Sequence, residues 1–130
     1  MAMDEWAVDL PGSPSIVPLA RRWVGEVLQD FDPQLVDDIK LIASEFTTNC
    51  VRHSVAAEGG YVHLRIQQHG DVLRLEVEDG GSREQPEGGW TGEEAANFGR
   101  GLEIIAKTAD DMGDEQTNAG GRLAWAELKI

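Results

Sequence analysis

Residues 61–78 hold two alternating runs on either side of Gly70-Asp71, and no other pattern in the chain restricts the fold as much. Tyr61–Gln68 puts Val62, Leu64 and Ile66 on one side, and Val72–Glu78 does the same with Leu73, Leu75 and Val77. Period-two apolar spacing broken by a Gly-Asp step reads as an antiparallel hairpin with one buried and one polar face. The buried face calls for a second layer to cover it.

That layer is found upstream. Val17, Leu19, Ala20, Trp23, Val24, Val27 and Leu28 recur at helical spacing, with Ser15 as the N-cap of a helix running to about Phe31. Asp32-Pro33 starts a second helix, Asp as N-cap and Pro at the first helical position, where its missing N–H costs nothing. This helix runs to about His53 with a buried stripe of Leu35, Ile39, Ile42, Phe46 and Cys50, flanked by Val36 and Ala43. EWAVDL (5–10) reads as an opening strand, Leu102–Ala109 as a short helix, and 111–117 with 121–129 as a second hairpin. From Asp79 to Gly101 there is no period, only a Gly- and Glu-rich stretch, and loops of that length often serve as lids. The order predicts one α+β domain over residues 1–130: a two-layer α/β sandwich whose mixed, mainly antiparallel sheet is covered by helices on one face.

Charge narrows the function. Against 24 acidic residues stand 11 basic ones, a net charge of −13, which excludes DNA, RNA or an anionic membrane as the primary ligand, since phosphate contacts need basic residues. Residues 76–94 and 110–115 together account for −10 of it, so the acid marks a surface expected to steer a basic protein partner. A single cysteine, no basic-then-apolar leader and no long apolar run point to a cytoplasmic protein.

Three short motifs carry chemistry. Glu45 and Asn49 lie one turn apart on the second helix, where an amide oxygen suits hard Mg²⁺ and a carboxylate can take a proton. Arg52 and His53 continue that face with groups suited to phosphate oxygens. The same spacing is also found on any solvated helix edge. Asp79-Gly80-Gly81 closes a strand with a carboxylate able to accept from an exocyclic amine, and equally reads as a plain turn. Gly99-Arg100-Gly101-Leu102 precedes a helix and offers backbone N–H groups and one guanidinium to a phosphate, or is only a loop end.

Taken together and in order, the motifs resemble the GHKL (Bergerat-fold) ATPase/kinase superfamily, and most closely its small bacterial anti-sigma-factor serine kinases. LIASEFTTNCVRHS (41–54) resembles their N-box, LEVEDGGSREQP (75–86) and NFGRGLEIIAKTADDMG (97–113) their two glycine boxes, and GGRLAWAEL (120–128) their closing strand. The resemblance spans nearly the whole chain and implies the Bergerat, histidine-kinase-like ATP-binding fold. It implies Glu45 as general base and Asn49 as the ligand of Mg²⁺ on bound ATP. Arg52 and His53 would meet phosphate, and Asp79 the adenine amino group beside Gly81. Arg100, flanked by Gly99, Gly101 and Leu102, would meet the γ-phosphate as an ATP lid at 82–98 closes. Two departures stand out: Leu123 where the family usually has Thr two residues before the Trp, and an acidic lid.

The implied function is an ATP- and Mg²⁺-dependent protein serine/threonine kinase. It would phosphorylate a small anti-sigma antagonist, bind a sigma factor and act as a homodimer. Leu123 and the acidic lid motivate the alternative of a pseudokinase that only grips its partner, and the same Glu45 in a plain ATPase would activate water. Too few residues precede the N-box to hold a histidine-kinase phosphoacceptor hairpin. Elsewhere Cys50, Trp23 and Trp125 read as core, His63, His69 and Lys107 as surface, and Trp90 as an exposed lid residue.

Overall fold

The two alternating runs form neighbouring antiparallel strands, joined as expected by a two-residue turn. The structure, a computed structural model, describes residues 4–53, 60–80, 103–117 and 121–130, without the side chains of Arg52 and His53. In chain order its elements are β1 (Asp4–Pro11), α1 (Ile16–Val27), α2 (Pro33–His53), β2 (Tyr61–His69) and β3 (Val72–Asp79). A short helix α3 (103–108), β4 (Asp111–Gln116) and β5 (Arg122–Lys129) follow. The strands form one sheet in the order β1-β2-β3-β5-β4, every described pairing antiparallel. At the β2–β3 turn Gly70 adopts φ +57°, a conformation a side chain disfavours, and His69 pairs with Val72 across it.

Helices α1 and α2 cover one face. The α2 stripe is as the spacing predicts: Leu35, Val36, Ile39, Ile42, Ala43, Phe46 and Cys50 are all buried, and so is Thr47, whose hydroxyl donates to the Ala43 carbonyl at 2.7 Å. They meet Val62, Leu64 and Ile66 of β2 and Leu73, Leu75 and Val77 of β3. Asp32 caps α2, its carboxylate accepting from the Gln34 and Leu35 N–H groups at 3.2 and 3.3 Å. The reading of α1 needs two corrections. Its helix ends at Val27 in a turn over 28–30, and its buried stripe is Ile16, Ala20, Val24 and Leu28, with Leu19 exposed. Ser15 stands at the N-cap position but makes no capping bond, because its hydroxyl pairs with that of Ser13 at 2.6 Å.

The other sheet face carries charge and one aromatic. Glu76, 9% exposed, lies between Arg65 (3.4 Å) and Arg74 (3.0 Å), and Arg74 also reaches Glu127 (3.1 Å). Burial works against the Arg74 charge, yet the hydrogen bonds to Glu76 and Glu127 outweigh it and its pKa is raised. The guanidinium sits 4.2 Å over the Trp125 ring. Trp125 is thus not helix-side core: it pairs across from Gly113 and Glu76, and a Cβ on Gly113 would collide with its ring. Trp23 is half-buried against the core, His63 half-buried in a pair with Asp9, and His69 and Lys107 exposed. Among the described residues no helix is long and apolar enough to cross a membrane.

Candidate functional site

Strand alternation fixes which side chains reach the space under the end of α2. On β3 the helix-facing positions are Leu73, Leu75, Val77 and then Asp79, where the apolar series ends in a carboxylate. Asp79 pairs with Arg122 at the start of β5, and Arg122 with Gln116 of β4. One step inward, Val77 pairs with Ala124 and Ala124 with Asp114. This end of the sheet therefore presents an apolar strip of Val77 and the half-buried Ala124, edged by Asp79, Arg122 and Asp114.

Helix α2 closes it from above. Cys50, the last residue of its buried stripe, hydrogen-bonds the Asp79 carboxylate through its thiol. Burial, then the Asp79 charge, pushes the thiol pKa well up, so it is a neutral donor rather than a nucleophile. Glu45 and Asn49, half-buried and one turn apart, flank that stripe on the same helix. The core reading of Cys50 holds for its burial, and the carboxylate contact adds a polar partner.

Asp114 takes Arg122 in a two-pronged grip, Nε at 3.2 Å and one terminal nitrogen at 2.5 Å. These hydrogen bonds, ahead of the opposing burial, raise the Arg122 pKa, and the neighbouring Asp79 charge adds to the effect. Gly121 packs so close to β3 that a Cβ there would collide with the Asp79 carbonyl oxygen, and its N–H is held by the Thr117 hydroxyl at 2.9 Å. Arg122, Asp114 and Gly121 were not singled out from the sequence. Their signal was there in the alternation of β5, but it depends on which parity faces the helices.

That parity also relocates the departure in the closing strand. Leu123 pairs with Glu78 and lies on the outer face, while the side chain facing Asp79 is that of Arg122. Of the predicted residues, the structure gathers Asp79 with the helix that carries Glu45 and Asn49. Arg52 and His53 lie in the last turn of α2 with side chains outside the description. Gly81, Gly99, Arg100, Gly101, Leu102, Trp90 and the 82–98 lid fall outside the described residues. An open pocket of about 420 Å³ lies beside this end of the sheet, lined by Asp9, Tyr61, His63, Glu78 and Asp79. His63 Nδ1 lies 2.6 Å from Asp9 there.

The acidic stretches are partly internal. Asp114 is committed to Arg122, Glu76 to two arginines, and Asp110 accepts from the Lys129 N–H at 2.7 Å. Asp110, Asp111 and Glu115 are the exposed members of the second stretch that make no side-chain ion pair among the described residues.

Comparison with known proteins agrees with this arrangement. A model of the histidine kinase-like ATPase domain matches residues 10–126. The serine-protein kinase RsbW of Listeria innocua serovar 6a is 29% identical over 122 residues, covering 84% of this chain and 78% of its own. The crystal structure of the SiaB-SiaC complex from Pseudomonas aeruginosa contains a chain of the same fold. Its TM-score is 0.70 at 14% identity, over 95% of this chain and 88% of the matched one.

Proposed function

Because the chain belongs to the histidine kinase-like ATPase domain family, we propose that it is an ATP- and Mg²⁺-dependent protein serine/threonine kinase of the anti-sigma type. One observation carries this reading. The N-box helix and the first glycine box, separate in sequence, meet at the contact of Cys50 with Asp79. The residue that would hold the metal, Asn49, is the chain neighbour of the one that touches the base-reading carboxylate.

In this reading Asp79 accepts a hydrogen bond from the adenine amino group, above the strip of Val77 and Ala124, with Gly81 leaving room for the ring. Glu45 orients the substrate hydroxyl and takes its proton. Asn49 gives an oxygen to Mg²⁺, which supplies charge neutralisation across the triphosphate. Mg²⁺ usually keeps several waters and takes substrate phosphates besides one or two protein oxygens, so a single amide fits its habit. Arg52, His53, Arg100 and the backbone of Gly99, Gly101 and Leu102 are assigned to phosphate oxygens from the family pattern. Phosphoryl transfer relies on positioning and charge, so this sparse set is sufficient in principle.

The kinship with RsbW, a serine-protein kinase, and a fold shared with a chain from a two-protein complex support a protein as substrate. A small antagonist as phosphoacceptor, a sigma factor as the alternately bound partner, a homodimer and a cytoplasmic setting belong to the same proposal. The pseudokinase alternative rests on Leu123 and the acidic lid; the Leu123 side chain lies on the face away from Asp79, and the lid falls outside the described residues.

The test is label transfer from γ-labelled ATP to candidate antagonists, with Glu45→Gln beside the native chain. A fall of about a hundredfold or more is expected for removal of the proton acceptor, and equal transfer would remove Glu45 from its role. Mg-ATP at a hundred times Kd should stabilise the fold by about 2.7 kcal/mol. No shift at millimolar ATP would return the chain to the binding-module reading.

A further inference from the structure

The two edges of the sheet are built differently. On β4 the in-register bond from the Thr117 N–H to the Gly121 carbonyl (2.9 Å) turns odd-numbered residues toward β5, so the Met112 N–H faces the edge. There the Asp111 carboxylate accepts it at 2.9 Å. On β1 the bond from the Gly12 N–H to the Gly60 carbonyl (2.9 Å) lies in register with the strand and turns even-numbered residues toward β2. Glu5, Ala7 and Asp9 therefore point their backbone N–H and C=O groups outward, and no hydrogen bond reaches those groups among the described residues. Residues 5–10 hold no lysine, proline or inward-facing charge, the usual guards of an edge. Trp6, Val8 and Leu10 alternate with them, face the helices and are only half-buried.

The outer face beside this edge is acidic. Glu5 shares Arg65 with Glu76, at 3.4 Å each, and Asp9 holds His63, which lies across from Glu78. The open pocket of about 420 Å³ takes its walls there from Asp9, His63, Glu78 and Tyr61, the last 70% exposed. Carboxylates beside an exposed aromatic ring suit a guanidinium or ammonium group. We propose that β1 is a docking edge for an extended segment of a basic partner protein, which adds a strand to the sheet and sends one Arg or Lys into this pocket. A side chain opposite Asp9 has only the strand spacing of about 5 Å to cross before it lies over the pocket. Alternation specifies the rest of an antiparallel segment: basic residues opposite Glu5 and Asp9, apolar ones opposite Trp6 and Val8. It reads basic, apolar, any, apolar, basic. A second copy fits less well, because pairing two β1 strands about Ala7 sets Glu5 of each against Asp9 of the other. The inference is independent of nucleotide binding and uses a surface that the kinase reading leaves idle.

A labelled peptide, Arg-Val-Thr-Val-Arg flanked by glycines, tests it by fluorescence anisotropy on the full chain. The native chain should bind it, and N-methylation of the threonine amide, which faces β1, should cost about tenfold in affinity. N-methylation of a valine amide, which faces away, should change affinity by no more than about twofold. Ala7→Pro removes an edge N–H without touching the β2 pairing and should weaken binding about tenfold or more. Asp9→Asn with Glu78→Gln should also weaken it, and the loss should shrink as salt is raised. If the native chain ignores the peptide at millimolar concentration, or binds a scrambled peptide or both N-methylated forms equally well, the proposal is overturned. It is equally overturned if the native chain dimerises, Ala7→Pro makes it monomeric and the peptide does not compete, since the edge then belongs to a second copy.

Discussion

Two clusters of arginine and carboxylate lie on opposite faces of the same sheet, and they do different things with the same chemistry. On the outer face Arg65, Arg74, Glu76 and Glu127 interlock, and Trp125 covers the space between them against Gly113. On the helix side Arg122 and Asp114 pair alone, next to Asp79 and a strip floored by an alanine. The first network is filled, and its one orphan donor among the described residues is the buried Trp125 Nε1. The second is smaller: among the described residues Arg122 gives Asp114 two of its five N–H groups, beside the buried Val77 and the half-buried Ala124.

Two glycines allow the sharpest break of this comparison. Gly121→Ala drives a Cβ into the Asp79 backbone, which cannot rotate away, so both stability and nucleotide affinity should fall. We expect a stability loss of about 1–3 kcal/mol for overpacking and a Kd for Mg-ATP raised about tenfold or more, 1.4 kcal/mol. Gly113→Ala meets the Trp125 ring instead. Denaturant melts should show a comparable stability loss with Kd unchanged within twofold. If the outer-face variant weakened nucleotide binding as strongly, the two faces would not be separable.

An effect on stability alone is expected from Glu76→Ala. It leaves two partly buried guanidiniums facing each other without their shared acceptor, at a cost of about 1–3 kcal/mol. The same titration should again find affinity for Mg-ATP unaltered. Smaller still is a pH effect at Cys50. Its folded-state pKa is raised, so the native thiol stays protonated while the unfolded one ionises near pH 8.5. The contribution is fully present below that pH and is lost as pH rises toward the folded value, with a slope of at most about 1.36 kcal/mol per unit. Between pH 8 and 10 the stability gap between the native chain and Cys50→Ala should therefore narrow. A constant gap would mean that neither burial nor Asp79 raises the folded-state thiol pKa.

Much of this was readable in the sequence, and the failures share a cause. The α2 stripe, the Asp32 cap and the β2–β3 register follow from local rules: periodicity, a capping carboxylate and a turn glycine. Strand β5 has alternation but no local mark of which parity faces inward. Its larger side chains, Leu123 and Trp125, lie on the outer face, and the small Ala124 and Ala126 face the helices. Size suggests the reverse, which is why Trp125 reads as core in the sequence. Residue type alone likewise named Ser15 as a cap, when a nearer hydroxyl had claimed its side chain.

The strand order has a consequence for how such a chain can vary. The polypeptide leaves β3 at Asp79 and returns against that same strand only at Arg122, after adding β4 at the edge of the sheet, so this stretch begins and ends at one cross-strand pair. None of the described sheet pairings involves a residue between Gly80 and residue 103. A change of length before residue 103 therefore leaves the Asp79–Arg122 pair in register, whereas one inside 111–113 would shift β4 against β5.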